Sequence, residues 1–237
     1  MKQVNHQTPV KADRHDDGSL LIHSIFLTIQ GEGPNVGQPA IFVRLAGCNI
    51  QCPGCDTEYT GDAVQHMDFH TLTDAIEQYS HDHNPLVVIT GGEPLRQNII
   101  PFLNWLAKHR YRTQLETNGT LGIDKRALSD DARYNLEIVC SPKTPKVVES
   151  LQEFIIAYKY VVNQGDIDPV DGLPLGVLGL HVRPARPHSG YRKKVYVQPA
   201  DEYDPARNKR NLDTAVNICL TYGHTLCLQT HKYINMP

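Results

Sequence analysis

The chain of 237 residues contains no apolar run approaching the roughly 20 residues that a membrane-crossing helix needs. Its N-terminus lacks the apolar segment of a secretory leader. Neither charge dominates: 23 Lys and Arg stand against 26 Asp and Glu, and a formal net charge of −3 offers no bulk attraction to nucleic acid. Cysteines are few and unevenly placed, with Cys140, Cys219 and Cys227 far from one another and from a group of three. A secreted disulfide framework is therefore not expected, and a reducing, cytoplasmic setting is. No internal repeat is found, and a chain of this length suits one sizeable core.

What the sequence does have is the stretch Cys48-Asn49-Ile50-Gln51-Cys52-Pro53-Gly54-Cys55, directly after the apolar run 40–45. Three thiolates in so short a loop can wrap one face of a metal centre. A tetrahedral zinc site would want a fourth ligand, which one of the 12 histidines could supply. Three cysteines also fill three corners of a cubane 4Fe–4S cluster and leave one iron open to a small molecule. Buried thiols without a role are the third reading. Spacing alone leaves all three open.

Residues 1–19 are polar and read as a flexible tail, so that residues 20–237 form the folded domain. Apolar or β-branched runs at 20–29, 40–45, 86–90, 113–116, 136–140, 154–162, 194–197 and 226–229 are expected as strands. Helical spacing is found at 70–80, with Thr71 or Thr73 as its cap, at 99–109 and at 212–222. Short buried strands alternating with helices imply parallel βαβ units. Residues 164–187, rich in Gly and Pro, are the longest expected irregular stretch. Polar turns follow strand after strand: the cysteines, Gly91-Gly92-Glu93-Pro94, Glu116-Thr117-Asn118-Gly119, Ser141-Pro142-Lys143 and Gln198-Pro199-Ala200-Asp201. Turn chemistry explains any one of them, but five at one sheet edge point to a site there.

The triplet together with Thr90-Gly91-Gly92-Glu93-Pro94 resembles the radical S-adenosylmethionine superfamily. Five further stretches narrow the resemblance to the 7-carboxy-7-deazaguanine synthases. They are Leu27-Thr28-Ile29-Gln30-Gly31-Glu32-Gly33, Cys55-Asp56-Thr57, Glu116-Thr117-Asn118-Gly119-Thr120, Ser141-Pro142-Lys143 and Gln229-Thr230-His231-Lys232-Tyr233. The resemblance covers the chain from about residue 20 onward. It implies an α/β fold of the radical S-adenosylmethionine type, an incomplete (β/α) barrel. It also implies a homodimer, a donor such as flavodoxin or ferredoxin, and conversion of 6-carboxy-5,6,7,8-tetrahydropterin to 7-carboxy-7-deazaguanine with loss of ammonia. A radical enzyme that activates a partner protein, or a zinc-binding module, are the competing readings.

By the same resemblance, Cys48, Cys52 and Cys55 hold a 4Fe–4S cluster. Gly54, Cys55, Asp56, Gly91, Gly92, Ser141, Pro142, Lys143, Gln198, Pro199, Ala200 and Asp201 meet S-adenosylmethionine. Ile29, Gln30, Gly31, Glu32, Arg44, Thr90, His231 and Pro237 meet the pterin, and Thr57 holds magnesium. Arg44 has its own physical argument, since a guanidinium offers a carboxylated pterin a two-bond fork. Gly91 and Gly92 are expected to give the cofactor close backbone approach. Glu116 reads equally as a ribose contact or a buried structural carboxylate. Where the superfamily usually places an aromatic residue before the last cysteine, this chain has Gly54.

Overall fold

Alternation along the strands decides the architecture. In β2 (Pro39–Leu45), Ile41, Val43 and Leu45 are fully buried in the main apolar core, while Phe42 and Arg44 point to the other face. The same period of two separates Leu115 from Gln114 and Glu116 in β5 (Thr113–Thr117). It separates Tyr158 and Tyr160 from Lys159 in β7 (Ile155–Val162). One face of the sheet thus packs on helices, and the other is polar and encloses a cleft.

The computed structural model describes residues 4–80, 83–190 and 193–237. The remaining strands are β1 (Ser19–Ile29), β3 (Gln65–Asp68), β4 (Leu86–Gly91), β6 (Leu136–Cys140), β8 (Lys194–Pro199) and β9 (Thr225–Leu226). They form one nine-stranded sheet in the order β3-β1-β2-β4-β5-β6-β7-β8-β9. Every pair from β2 to β9 in that order is parallel, and β1 and β3 add two antiparallel strands at one edge. The sheet does not close, which makes it an incomplete (β/α) barrel. Helices α1 (Phe69–Glu77), α2 (Ile100–Lys108), α3 (Asp130–Asn135) and α4 (Pro205–Tyr222) follow β3, β4, β5 and β8, and a short α5 (Thr230–Tyr233) closes the chain.

Several local expectations change. Asp68, not Thr71 or Thr73, caps α1: its Oδ1 accepts from the Thr71 amide at 2.8 Å. Helix α4 starts at Pro205, because Asp204 caps it and its first turns carry Arg, Lys and Asn with no apolar rhythm to read. The last strand stops at Leu226, and Gln229, expected in it, instead bonds Glu32. Strand β3 is polar and mostly exposed, so apolar patterning gave no sign of it. Residues 164–187 are irregular as expected, with only isolated bridges.

The described part of the expected tail is laid along the cysteine loop rather than projecting from the domain. The Val10 amide donates to the Cys48 carbonyl at 2.8 Å and the Asn5 amide to the Pro53 carbonyl at 3.0 Å. Asn5 Nδ2 donates to the Cys52 carbonyl, and Gln7 bridges the Thr57 carbonyl and the Tyr59 amide. A loop that curls to aim three thiols inward turns its carbonyls outward, and these polar side chains satisfy them.

Candidate active site

A cleft of about 330 Å³ opens on the polar face of the sheet, at the C-terminal ends of the parallel strands. Cys48, Cys52, Gly54, Cys55, Asp56 and Thr57 enter it from the loop after β2. Gly91 ends β4 and Gly92 follows it, Ser141 and Lys143 follow β6, and Ala200 and Asp201 follow β8, with Gln198 from the strand itself. The inner half is lined by Ile29, Gln30, Glu32, Arg44, Thr90, His231 and Pro237. Of the residues singled out in sequence, only Gly31, Pro142 and Pro199 stand outside this lining. Gly31 has another duty: a Cβ there would come within 1.9 Å of His231 Nδ1, so only glycine lets the C-terminal segment seat.

All three cysteines line the same cleft. A tight turn joins two of them, with the Cys55 amide donating to the Cys52 carbonyl at 3.0 Å. Burial pushes the Cys48 thiol up to about 11, with the nearby Cys52 and Cys55 adding to the rise, and burial raises Cys52 as well. Thiolates crowded in this way need a cationic centre to stay ionised, and that is what an iron–sulfur group offers. Among the described residues, no three Cys, His, Asp or Glu groups are drawn tightly enough for one metal ion. Three thiols set around a space suit the separate corners of a cluster. Lys143 lies beside them; burial lowers it from the usual lysine range against the pull of Cys52, and its Nζ donates to the Ser141 carbonyl at 2.8 Å.

The two glycines of the Gly-Gly-Glu-Pro turn line the cleft and have a packing duty as well. A Cβ on Gly91, whose φ is 134°, would meet the Leu45 carbonyl at 2.1 Å, and one on Gly92 would meet the Gly47 carbonyl at 2.2 Å. Close packing against the end of β2 and the loop that follows it demands these glycines whether or not a ligand is bound. Glu93 is fully buried and ties the turn to the next strand: it accepts from Thr117 Oγ1 and the Asn118 amide, each at 2.8 Å, and from the Leu95 amide. Burial raises its pKa, opposed by those hydrogen bonds.

In the inner half, Arg44 lies with its guanidinium carbon 5.8 Å from the centre of the Phe26 ring, which in turn stacks on Phe42. Among the described residues no carboxylate lies within ion-pair distance of it. Burial lowers its pKa, while Glu116 and Asp56 pull the other way. Glu116 turns to Lys159 and to two amides and stands half-buried in the cleft wall. Lys159 itself was passed over in sequence; a lone lysine at an inward position of the apolar strand Ile155–Val162 was the available signal. Leu178, from the irregular stretch, and Tyr203 also reach the cleft, and the Leu178 carbonyl accepts from the Gly54 amide at 2.7 Å.

The C-terminal segment closes this half. Thr28 Oγ1 donates to the Pro237 carbonyl at 3.0 Å, and the Thr230 amide to the Gly31 carbonyl at 3.1 Å. Lys232 pairs with Asp201 at 2.7 Å, and Lys232 with backbone and Asn208 donors holds the Asp201 carboxyl near 2 against the opposing effect of burial.

Comparison with known proteins identifies the family. Residues 29–124 match the family described as a 4Fe-4S single cluster domain, which spans the whole cysteine loop. A 7-carboxy-7-deazaguanine synthase from Rhodospirillum rubrum is 41% identical over 94% of this chain and 95% of its own length. One from Rickettsia prowazekii is 35% identical over 99% of this chain and 96% of its own. The crystal structure of QueE from Escherichia coli superposes with a TM-score of 0.67 at 25% identity, covering 89% of this chain and 93% of that one. The cysteine loop, the open barrel and near full-length similarity agree, and the chain belongs to the 7-carboxy-7-deazaguanine synthase family.

Proposed function

We propose that this protein is a radical S-adenosylmethionine lyase that converts 6-carboxy-5,6,7,8-tetrahydropterin to 7-carboxy-7-deazaguanine with loss of ammonia, a step toward queuosine and related deazapurines. The observation that carries it is the Arg44 guanidinium, held without a carboxylate partner of its own among the described residues, in the same cleft as Glu32 and Glu116. A carboxylated pterin has the complementary pattern: an anionic group for the fork of an arginine, and ring N–H donors for carboxylates. An enzyme that activates a partner protein would have no use for that pairing.

Cys48, Cys52 and Cys55 would hold a 4Fe–4S cluster, and Gly54, Asp56, Gly91, Gly92, Ser141, Lys143, Gln198, Ala200 and Asp201, which line the same cleft, would hold S-adenosylmethionine. When bound, cluster and cofactor supply a carbon radical able to abstract an unactivated hydrogen. The chain's own work is placement. Arg44 fixes the substrate carboxylate, Gln30, Glu32 and Thr90 line the ring, and His231 with Pro237 covers its open side and limits water. Thr57 lies at the mouth with its hydroxyl 3.3 Å from Asp56 Oδ1, where it would join substrate oxygens and water around magnesium. The family resemblance further supports a homodimer, reduced by a flavodoxin- or ferredoxin-type donor in the cytoplasm; no helix among the described residues is long and apolar enough to cross a membrane.

The test is anaerobic incubation with the carboxytetrahydropterin, S-adenosylmethionine, magnesium and a reductant. The deazaguanine should appear by mass. Cofactor cleavage that proceeds without that product would reject this substrate.

A further inference from the structure

We infer that Lys159 is a positioning residue for substrate recognition: one buried ammonium that holds Glu32 and Glu116 together as an acceptor-only face of the cleft. The ligand named for that face rests on the function proposed above; the arrangement itself does not. Lys159 is 8% exposed, at an inward position of β7 between Tyr158 and Tyr160, which belong to the opposite, apolar face. Its Nζ forms an ion pair with Glu32 Oε2 and lies 3.8 Å from Glu116 Oε2.

The other oxygen of each carboxylate is held by amides. Gln229 Nε2 donates to Glu32 Oε1 at 2.8 Å, while Gln114 Nε2 and Gln30 Nε2 donate to Glu116 Oε1 at 3.0 and 3.4 Å. Among the described residues every protein partner of the two carboxylates is thus an N–H donor, and both carboxylate residues line the cleft. Arg44 from β2, His231 from the C-terminal segment and Cys227 beyond β9 also bear on this cluster, as does the buried Lys143 after β6 through its repulsion with Lys159, with Asp56 reaching Arg44 and His231.

Charge makes the role specific. Glu32, Glu116, Lys159 and Arg44 sum to zero, and a ligand carboxylate that occupies Arg44 leaves the acceptor face one negative charge in excess. Such a face favours a ring edge with an amino group and a ring N–H, as the aminopyrimidinone side of a pterin presents. Were the ammonium absent, two carboxylates in a half-buried cleft would repel, and one would take up a proton. A protonated carboxyl donates, so the face would become mixed and lose its selectivity. Lys159 touches no reacting atom here; it acts through Glu32 and Glu116.

The experiment compares wild type, Lys159→Met and Lys159→Met/Glu116→Gln as cluster-loaded enzymes, after iron content has been matched. The readouts are the KM for the carboxytetrahydropterin from pH 6 to 9, cofactor cleavage without pterin, and binding of 6-carboxypterin against its 2-oxo analogue. In wild type, KM should stay flat near neutrality and the 2-oxo analogue should bind about 100-fold more weakly, as expected for a site with buried polar groups left unpaired. In Lys159→Met, KM should rise about 10-fold or more at neutral pH and recover as pH rises, discrimination should shrink, and cofactor cleavage should persist. The double variant, with one carboxylate removed, should lose that pH dependence. Lys159→Met with wild-type KM, pH profile and discrimination overturns the inference. So does a variant that loses cofactor and pterin affinity equally while the double variant behaves the same, since Lys159 would then serve the fold alone. A wild-type enzyme that cleaves the cofactor but neither binds nor converts the pterin rejects the proposed substrate, and with it the ligand assigned to this face.

Discussion

The two halves of the cleft are built on opposite principles. Along the strand edge, the half facing the cysteines is made of short turns, each contiguous in sequence and each delivered by its own strand. The inner half joins distant residues: Glu32 meets Lys159 across 127 positions, Gln229 across 197, and Thr28 meets Pro237 across 209. A turn held by its flanking strands works or fails as a unit. A pocket assembled from separate pieces loses binding by degrees. The first half should therefore respond to substitution in an all-or-none way, and the second through KM.

The largest expected effect is in the cysteine loop. Cys48→Ala, Cys52→Ala or Cys55→Ala should each abolish turnover along with iron and visible absorbance, since three ligands leave none spare, whereas Cys140→Ala should keep the cluster. A single variant with full iron and normal turnover would break the contrast at its strongest point. Next comes Arg44→Lys, which keeps the charge and loses the planar fork. KM for the pterin should rise roughly 10–100-fold, with cofactor cleavage in its absence unchanged. Steady-state kinetics beside a no-pterin cleavage assay separates the two.

A smaller change is expected from removing residues 235–237, which takes Pro237 from Thr28 and from the cleft. KM should rise about 10-fold at constant iron content, the worth of one or two hydrogen bonds. The mildest effect concerns pH. Burial holds His231 below its usual value of 6.5, against the opposing pull of Glu32. A base whose value is lower when docked is protonated first in the undocked segment, so docking should weaken as pH falls below about 6.5 and be complete above it. Hydrogen exchange across residues 226–237, corrected for intrinsic rates, should be faster at the acid end, and His231→Gln should remove that difference.

This division also marks how much could be read in advance. The parallel strands from β2 to β8 were legible because their outward positions are apolar and their ends carry turn residues. The cysteine loop, Ser141 and Lys143, and Ala200 with Asp201 were legible because each is a local motif. Strand β3 was not, being polar, and neither was the start of α4, whose first turns bury almost nothing. The packing demand on Gly91 and Gly92 was not legible, because the neighbours that crowd them, Leu45 and Gly47, lie at and just beyond the end of another strand. Residues 5–14 looked like a tail because their partners are mostly backbone carbonyls of distant loops, the cysteine loop for Asn5 and Val10 and the turn at 95–96 for Asp13 and Arg14, which no side-chain pattern reveals.

By itself the sequence determined which residues are thiols, which positions alternate between polar and apolar, and where the chain must turn, because these depend on neighbours within a few residues. The tertiary structure alone decided that one lysine would sit between two carboxylates, that Gly31 would yield its space to His231, and that Pro237 would return to the first strand. Those are matters of charge and volume between segments that meet only when the sheet curls. Coulomb attraction and close packing act over a few ångströms of space, with no regard for distance along the chain.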